Sequence, residues 1–238
     1  MISQQVRLTT EKGKVSRLGV RQRSSEFAYR LLKRKILDSD YPPGEHVLEQ
    51  DIAAELKLSR TPVREAFVRL EQDGLLEIVP RHGVRISVLS PNDMRELYEV
   101  LTALEPTAVE LLARRQPSDE ELAPLVTACD AMEAALAGKR LKAWAAADED
   151  FHFNLAQLCG NRRLAAMIMT MWDQAHRARM FTLTLRPLPK RSTQEHRAVV
   201  DAIRVGNVAG ARELYAAHRR RGGDEMMAII DRHGFQRL

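Results

Sequence analysis

The sequence has little that would place the protein in a membrane or outside the cell. No apolar run approaches the roughly twenty residues that a membrane span needs. The N-terminus has no apolar stretch of the kind that a signal peptide carries. Cysteine is scarce: Cys129 and Cys159 are the two in the sequence, and neither belongs to a metal-type CxxC pair. We therefore expect a cytoplasmic protein with reduced structural thiols and no membrane partner.

The amino-acid composition is typical of a folded protein, and its basic residues are concentrated in the N-terminal part. The 238 residues are 45% hydrophobic and 29% charged, which argues against disorder and favours two domains of unequal size. Basic residues crowd the N-terminal part: Arg7, Lys12, Lys14, Arg17, Arg21, Arg23, Arg30, Lys33, Arg34 and Lys35. This local basicity is typical of a segment that faces nucleic acid, and a solvated helix face with a loose tail is the alternative interpretation. We expect residues 1–23 to form a basic flexible tail.

The periodicity of residues 24–89 predicts three short helices and a hairpin. Apolar residues recur at helical spacing from Ser25 and again from Leu48, with a Pro-Pro-Gly break between the two helices. A third helix follows Ser59 and ends at Gly74. Beyond that glycine the spacing changes to two, interrupted by a Pro-Arg-His-Gly turn, which predicts a β-hairpin. Three helices followed by a hairpin are typical of a winged helix-turn-helix domain.

Two arginines near the start of the third helix need an explanation. Arg60 and Arg64 lie one turn apart, where the partial positive charge of a helix N-terminus disfavours cations. A phosphate or a guanine edge would supply the missing negative partner, and a bidentate arginine is the commonest specific contact to guanine. We therefore predict that this helix reads DNA. The alternative is a surface helix with ordinary ion pairs, such as Glu65 with Arg69.

The segment from Tyr41 to Ile86 carries a long family signature. It reads YPPGEHVLEQDIAAELKLSRTPVREAFVRLEQDGLLEIVPRHGVRI and resembles the DNA-binding domain of the GntR family of bacterial transcription regulators. The resemblance implies a homodimer, which would bind a palindromic operator in double-stranded DNA. It also implies six DNA-contacting residues: Gln50, Arg60, Thr61, Arg64, His82 and Gly83.

The resemblance assigns these residues different roles. It implies that Arg60 and Arg64 read bases in the major groove and that Thr61 contacts a phosphate or a base. His82 and Gly83, at the tip of the wing, would reach into the minor groove. Gln50 stands where some family members carry an arginine. We expect the contact at this position to be weaker or to read a different base.

The pattern beyond Ser90 is nearly all helical. Six or seven helices fit, and the stretch contains no strand-like alternation of any length. Ser90-Pro91 starts the first of them, and Ser118 with Glu121 forms a capping box for the next. Short connections between helices of this length predict an all-helical bundle over residues 90–238.

Four polar residues lie on predicted apolar faces of this bundle. Asp148 and His152 are one turn apart on one helix, and His196 and His218 lie on two later helices. A single histidine in such a place is usually a satisfied core residue. Four unpaired polar groups, however, would each cost about 1 to 3 kcal/mol or more when buried, so convergence on one divalent cation is the simpler explanation. The donor set suits zinc, nickel or manganese, with open positions for water or a ligand carboxylate.

The C-terminal half resembles the FCD domain of the FadR subgroup of the same family. Its metal-binding version carries an Asp-x3-His motif and two later histidines, which correspond to the same four residues. The resemblance implies that the metal helps to hold a small organic-acid effector. Many relatives have an arginine in YEVRxxLE, whereas this sequence reads YEVLTALE with Leu101 at that position. The effector would then be less anionic, be held by another residue such as Arg179, or not exist for this member.

These interpretations together predict a mainly α protein with three parts. Residues 1–23 form the tail, residues 24–89 the winged helix-turn-helix, and residues 90–238 an effector-binding and dimerisation domain. The predicted function is that of a sequence-specific transcription regulator, a repressor, and not an enzyme. The alternatives are a metalloenzyme, for which Glu149-x-x-His152 is half of a di-iron motif without a second copy, and a non-specific architectural DNA binder.

Overall fold

The computed structural model describes the backbone of residues 10–238 and the side chains of residues 21–238. The chain divides into two compact units between Val88 and Leu89. Residues 1–9 of the predicted flexible tail lie outside the described residues. Residues 10–23, predicted to be flexible, belong instead to the first helix. This helix therefore begins well before the apolar periodicity that starts at Ser25.

The N-terminal unit combines three helices with a small sheet. Its elements in chain order are α1 (Thr10–Leu37), β1 (His46–Val47), α2 (Glu49–Leu56), α3 (Arg60–Gln72), β2 (Leu76–Val79) and β3 (Gly83–Ile86). The predicted helices and hairpin are confirmed. The sheet has one strand more than predicted, because β1 pairs antiparallel with β3 and gives the order β1-β3-β2. A strand of two residues is too short to show a period in sequence.

The apolar positions predicted from periodicity form the core of this unit. The helices contribute Ala28, Leu32, Ile36, Ile52, Val63, Ala66, Phe67 and Leu70, and the sheet contributes Val84 and Ile86. Gly83 holds the wing against β1. Its φ of +83° is a left-handed conformation, and a Cβ atom at this position would overlap the Val47 carbonyl oxygen. Glycine at the start of β3 is therefore required for the three-stranded pairing.

The C-terminal unit is an all-helical bundle. It contains α4 (Pro91–Arg114), α5 (Asp119–Ala137), α6 (Leu141–Leu158), α7 (Arg162–Phe181), a 3₁₀ turn (Leu183–Leu185), α8 (Lys190–Arg204) and α9 (Val208–His233). These six α-helices agree with the prediction of six or seven. The predicted starts of α4 and α5 are also confirmed, since Ser90 with Asp93 and Ser118 with Glu121 form capping boxes.

Two apolar clusters fill the bundle, and buried polar side chains lie on helices that contribute to these clusters. One cluster includes Phe151 and Tyr215, and the other includes Leu101 and Trp172. The helix α9 packs along both α4 and α8, while α6 packs on α5 and α7. This arrangement brings the buried faces of α6, α8 and α9 together. No helix in the described part of the chain is both long enough and apolar enough to cross a membrane.

Candidate metal centre and DNA-facing surface

Three histidines from three helices meet in the interior of the C-terminal unit. They are His152 of α6, His196 of α8 and His218 of α9, and one ring nitrogen of each lies within 4.8 Å of the others. Their exposed fractions are 2%, 0% and 5%. His152 and His218 are more than sixty residues apart in the sequence, yet with His196 they form one cluster of potential metal ligands.

Asp148 lies beside the three histidines. Its Oδ1 atom is 3.8 Å from Nε2 of His152, one turn further along α6, and 3.8 Å from Nδ1 of His196. Its Oδ2 atom accepts a hydrogen bond from the Arg179 guanidinium. The structure therefore brings together all four predicted metal-ligating residues, which we call the metal centre.

Several buried polar atoms of the metal centre have no protein partner. Asp148 Oδ1 and both ring nitrogens of His196 make no hydrogen bond. An unsatisfied buried donor or acceptor costs about 1 to 3 kcal/mol, so three in one place need a compensating interaction. One divalent cation between the carboxylate and the imidazoles would provide it. The residues present therefore fit a metal ion.

Neighbouring side chains orient the other two imidazoles. Nδ1 of His152 lies 2.7 Å from the Tyr215 hydroxyl, and Nδ1 of His218 lies 2.8 Å from Oε2 of Glu195. Because Nδ1 is engaged in both rings, Nε2 is the nitrogen that could bind a metal. Such contacts fix the tautomer and the ring plane of a metal ligand. No sequence pattern predicted that Tyr215 and Glu195 would orient these rings, although Glu195 directly precedes His196.

The electrostatics keep these groups in their ligating forms. Burial, above all, holds the pKa of His152 and of His196 well below the ordinary value of 6.5, and it also lowers the pKa of His218. All three imidazoles are therefore neutral near pH 7. Burial by itself would raise the pKa of Asp148, but the charge and the hydrogen bond of the Arg179 guanidinium act in the opposite direction, and the pKa is lowered. Asp148 is thus ionised.

A cavity of about 170 Å³ lies next to the metal centre. His218 forms part of its wall, together with the aromatic rings of Tyr98 and Trp144. Five arginines also line it: Arg179, Arg186, Arg191, Arg219 and Arg221. A cavity with this lining would attract a small anion.

Arg179, a candidate effector contact in the sequence, lines this cavity. Arg179 is held between Asp148 and the indole of Trp172, with its Cζ atom 4.1 Å from the ring centroid. Leu101, at the position where the family resemblance implies an arginine, is fully buried in an apolar cluster. The positive charge of the cavity comes from α7, from the segment after it, from α8 and from α9, and sequence periodicity does not reveal this convergence.

The N-terminal unit carries the predicted DNA-reading residues at its surface. Arg60 is the first residue of α3, and its side chain is 68% exposed. Its Nε atom donates a hydrogen bond to Oε1 of Glu49, the first residue of α2, over 2.9 Å. Arg64, one turn along α3, is exposed and makes no hydrogen bond or ion pair with any side chain that the structure describes. Thr61 is exposed beside Arg60.

The wing and the start of α3 border one surface groove. Gln50, Arg60, Arg64 and Gly83 all line it, together with Arg81 of the wing turn. His82 is exposed at the same turn, where its backbone N–H donates to the Val79 carbonyl. Four of the six predicted DNA contacts therefore share a groove, and the other two lie exposed on the elements that border it.

The alternative interpretation of α3, a surface helix with ordinary ion pairs, named Glu65 with Arg69 as its example, and these two residues pair with other partners instead. Glu65 pairs with Arg21, and Arg69 donates to Glu26 over 2.8 Å. Both pairs link α3 to α1 and are substantially exposed, so each contributes little to stability. At the start of the same helix, Arg60 pairs with Glu49, whereas Arg64 has no ion pair among the side chains that the structure describes and is available to an outside partner.

Comparison with known proteins decides the family. Residues 24–86 match the family described as "Bacterial regulatory proteins, gntR family", and residues 96–221 match the "FCD domain". The chain belongs to the GntR family and carries an FCD domain. This GntR-family regulator is 32% identical to the Nta operon transcriptional regulator of Aminobacter aminovorans, over 80% of its own length and 88% of that protein.

Other relatives agree in fold and class. The HTH-type transcriptional repressor GlaR of Escherichia coli is 25% identical over 80% of the chain and 90% of the relative. The solved structure of E. coli McbR/YncC superimposes with a TM-score of 0.76 at 17% identity, covering 88% of this chain and 98% of that one, which shows the shared fold. The matched families and relatives are transcriptional regulators and not enzymes. The prediction of a DNA-binding regulator is thus confirmed over the metalloenzyme alternative.

Proposed function

We propose that this GntR-family regulator is a homodimeric repressor of a palindromic operator, and that a small carboxylate effector at a metal ion in the FCD domain controls its operator binding. The observation that carries the regulatory part is the set of buried polar atoms without a hydrogen-bond partner in the metal centre, beside an arginine-lined cavity. The name of the relative GlaR supports repression as the mode of action.

The DNA contacts follow from the surface of the N-terminal unit. Arg60 and Arg64 would read bases in the major groove, and Thr61 would contact a phosphate or a base near the helix N-terminus. The exposure of all three residues supports this assignment. Gln50 would add a contact from α2, and His82 with Gly83 would enter the minor groove.

The metal would be held by Asp148, His152, His196 and His218. Carboxylate and imidazole donors favour zinc, with nickel and manganese as alternatives. When bound, the metal supplies positive charge and an open coordination position for an effector carboxylate. Tyr215 and Glu195 would keep the imidazoles of His152 and His218 in the ligating tautomer.

Control of DNA binding requires that the effector bind one dimer state more tightly than the other. A dimer would place two α3 helices about one DNA turn apart on the operator. An effector with equal affinity for the operator-binding and the released state would change nothing. We therefore expect effector and operator to weaken each other's binding by the same factor.

The metal assignment is tested by the metal content of the purified protein. We expect about one divalent ion per chain in the unaltered protein and almost none in a His152→Ala/His196→Ala double variant. A His233→Ala variant is the matched control, because His233 is exposed and lies outside the metal centre. Stoichiometric metal in the double variant would remove these residues from the site.

The DNA assignment is tested by selecting genomic fragments on the protein at near-physiological salt and sequencing those retained. One enriched palindrome is the expected result. Arg64→Ala should then weaken operator binding by roughly 1 to 3 kcal/mol and relax one base preference. Arg69→Ala is the matched control, because it removes the same charge from the last turn of the same helix. Diffuse retention without a shared site would favour the architectural binder.

A further inference from the structure

One arginine in the cavity beside the metal centre lacks a negatively charged partner. Arg186 follows the 3₁₀ turn after α7 and lines the cavity together with His218. One terminal nitrogen of its guanidinium donates to the Thr182 hydroxyl over 3.0 Å and lies 3.6 Å from the sulfur of Met226. Its Nε atom is buried and donates to no acceptor. Within the part of the chain that the structure describes, Arg186 forms no ion pair.

The other arginines of the cavity already pair with carboxylates. Arg179 pairs with Asp148, Arg221 pairs with Glu195, and Nε of Arg219 lies 2.7 Å from Oε2 of Glu105. Arg191 donates to Glu195 over 3.0 Å, and Glu225, which also lines the cavity, pairs with Arg221. Within the described part of the chain, Arg186 is therefore the arginine of the cavity that has no ion pair with a carboxylate, and a bound divalent metal would add two further positive charges.

Withdrawing the Arg186 guanidinium from water costs free energy unless an anion binds to it. Burial lowers the pKa of the Arg186 guanidinium, although nearby tyrosine and carboxylate groups act in the opposite direction. A cation withdrawn from water without a partner is unfavourable, and a guanidinium forms strong charge-assisted hydrogen bonds with a carboxylate. The arginine of the cavity that has no carboxylate partner thus lies in the segment after α7.

We propose that the cavity takes a small dicarboxylate, with one carboxylate at the metal ion and the other bound by Arg186. This inference rests on the proposed function and narrows its effector class. The size of the cavity agrees with it, because about 170 Å³ is well below the roughly 300 to 1,000 Å³ of pockets for drug-sized ligands.

The experiment compares acids that differ by one carboxylate. Zinc-loaded protein is titrated calorimetrically with succinate and butyrate, which have four carbons each, and with glutarate and pentanoate, which have five. We expect at least one diacid to bind about tenfold or more tightly than its matched monoacid, since a charge-assisted pair is worth about that much.

Variants assign the preference to Arg186. Arg186→Gln should bind the diacid and the monoacid about equally, and Arg186→Lys should retain part of the preference because it keeps the charge. Arg163→Gln is the matched control, because it removes the same charge from the exposed start of α7 and should leave the preference unchanged. Metal content and the thermal midpoint of each variant show whether the fold and the metal centre are intact.

Three results would overturn the proposal. They are equal affinity for both members of each acid pair, a preference that survives in a folded, metal-loaded Arg186→Gln variant, and no measurable binding of any of the four acids. Operator binding and metal content are measured on the same samples. If these are normal while the acid result is negative, the dicarboxylate inference alone fails. If the unaltered protein holds no metal, the metal-centre proposal and this inference fail together.

Discussion

Replacing His196 by phenylalanine should change stability in opposite directions with and without metal. Both ring nitrogens of His196 are buried without a hydrogen-bond partner, and its ring centroid lies 4.2 Å from that of Phe151. In metal-free protein the substitution removes two unsatisfied polar atoms, each worth about 1 to 3 kcal/mol. The larger ring costs about 1 to 3 kcal/mol through overpacking, so the net gain in the free energy of unfolding is about 2 kcal/mol.

Metal should reverse this difference. Zinc at about 1,000 times its Kd would stabilise the unaltered protein by about 4.1 kcal/mol and would not stabilise His196→Phe, which has lost a ligand. The variant should then be less stable than the unaltered protein by about 2 kcal/mol. For a chain of this size each kcal/mol moves the thermal midpoint by about 2 to 4 °C, so the two shifts are measurable and opposite in sign.

The assay is thermal unfolding followed by circular dichroism, once with a chelator and once with excess zinc. His233→Phe serves as the control, because His233 is exposed and its substitution should give nearly the same midpoint in both conditions. Equal destabilisation of His196→Phe in chelator and in zinc would refute the reasoning. His196 would then be a satisfied core residue and not part of a metal site.

Three further predictions concern pH, the recognition helix and the wing. Burial depresses the pKa of the metal-centre histidines, so below about pH 6.5 the unfolded chain binds more protons than the folded chain. Urea denaturation of the metal-free protein should therefore show lower stability at pH 5.5 than at pH 7.5, and equal stability at the two pH values would contradict this prediction. Glu49→Gln should release Arg60 and raise the affinity for unrelated DNA more than the affinity for the operator, as measured by fluorescence anisotropy on both duplexes, with Glu77→Gln of β2 as the control. An unchanged ratio of the two affinities would mean that the ion pair does not restrain Arg60. Gly83→Ala should destabilise the N-terminal unit by about 1 to 2 kcal/mol or more, since a left-handed conformation alone costs that much, and an unchanged thermal midpoint would contradict this account of the wing.

Local patterns were sufficient to predict most of the fold. The helical spacing from Ser25 and Leu48, the change of period after Gly74 and the serines that cap α4 and α5 each depend on neighbouring residues. The same short-range logic placed Asp148 and His152 on one buried face of α6. Their convergence with His196 and His218 was a hypothesis, and their role in binding a metal stays a prediction.

Some features had no local signal. The two residues of β1 acquire their strand conformation by pairing with β3, nearly forty residues later. Residues 10–23 continue α1 although their apolar spacing is weak. The ion pair between Glu49 and Arg60 joins two different helices, so spacing within either helix does not predict it.

The sequence by itself determined which face of each helix is buried and which polar residues lie on that face, because side-chain direction repeats with the period of the element. The tertiary structure alone decided which of those faces meet. The arginines of the cavity are an example: Arg179, Arg186 and Arg219 come from α7, from the segment after it and from α9, and each looks like an ordinary surface or core position in its own segment. Their shared environment arises from packing between distant segments, and only that packing distinguishes the compensated arginines from Arg186.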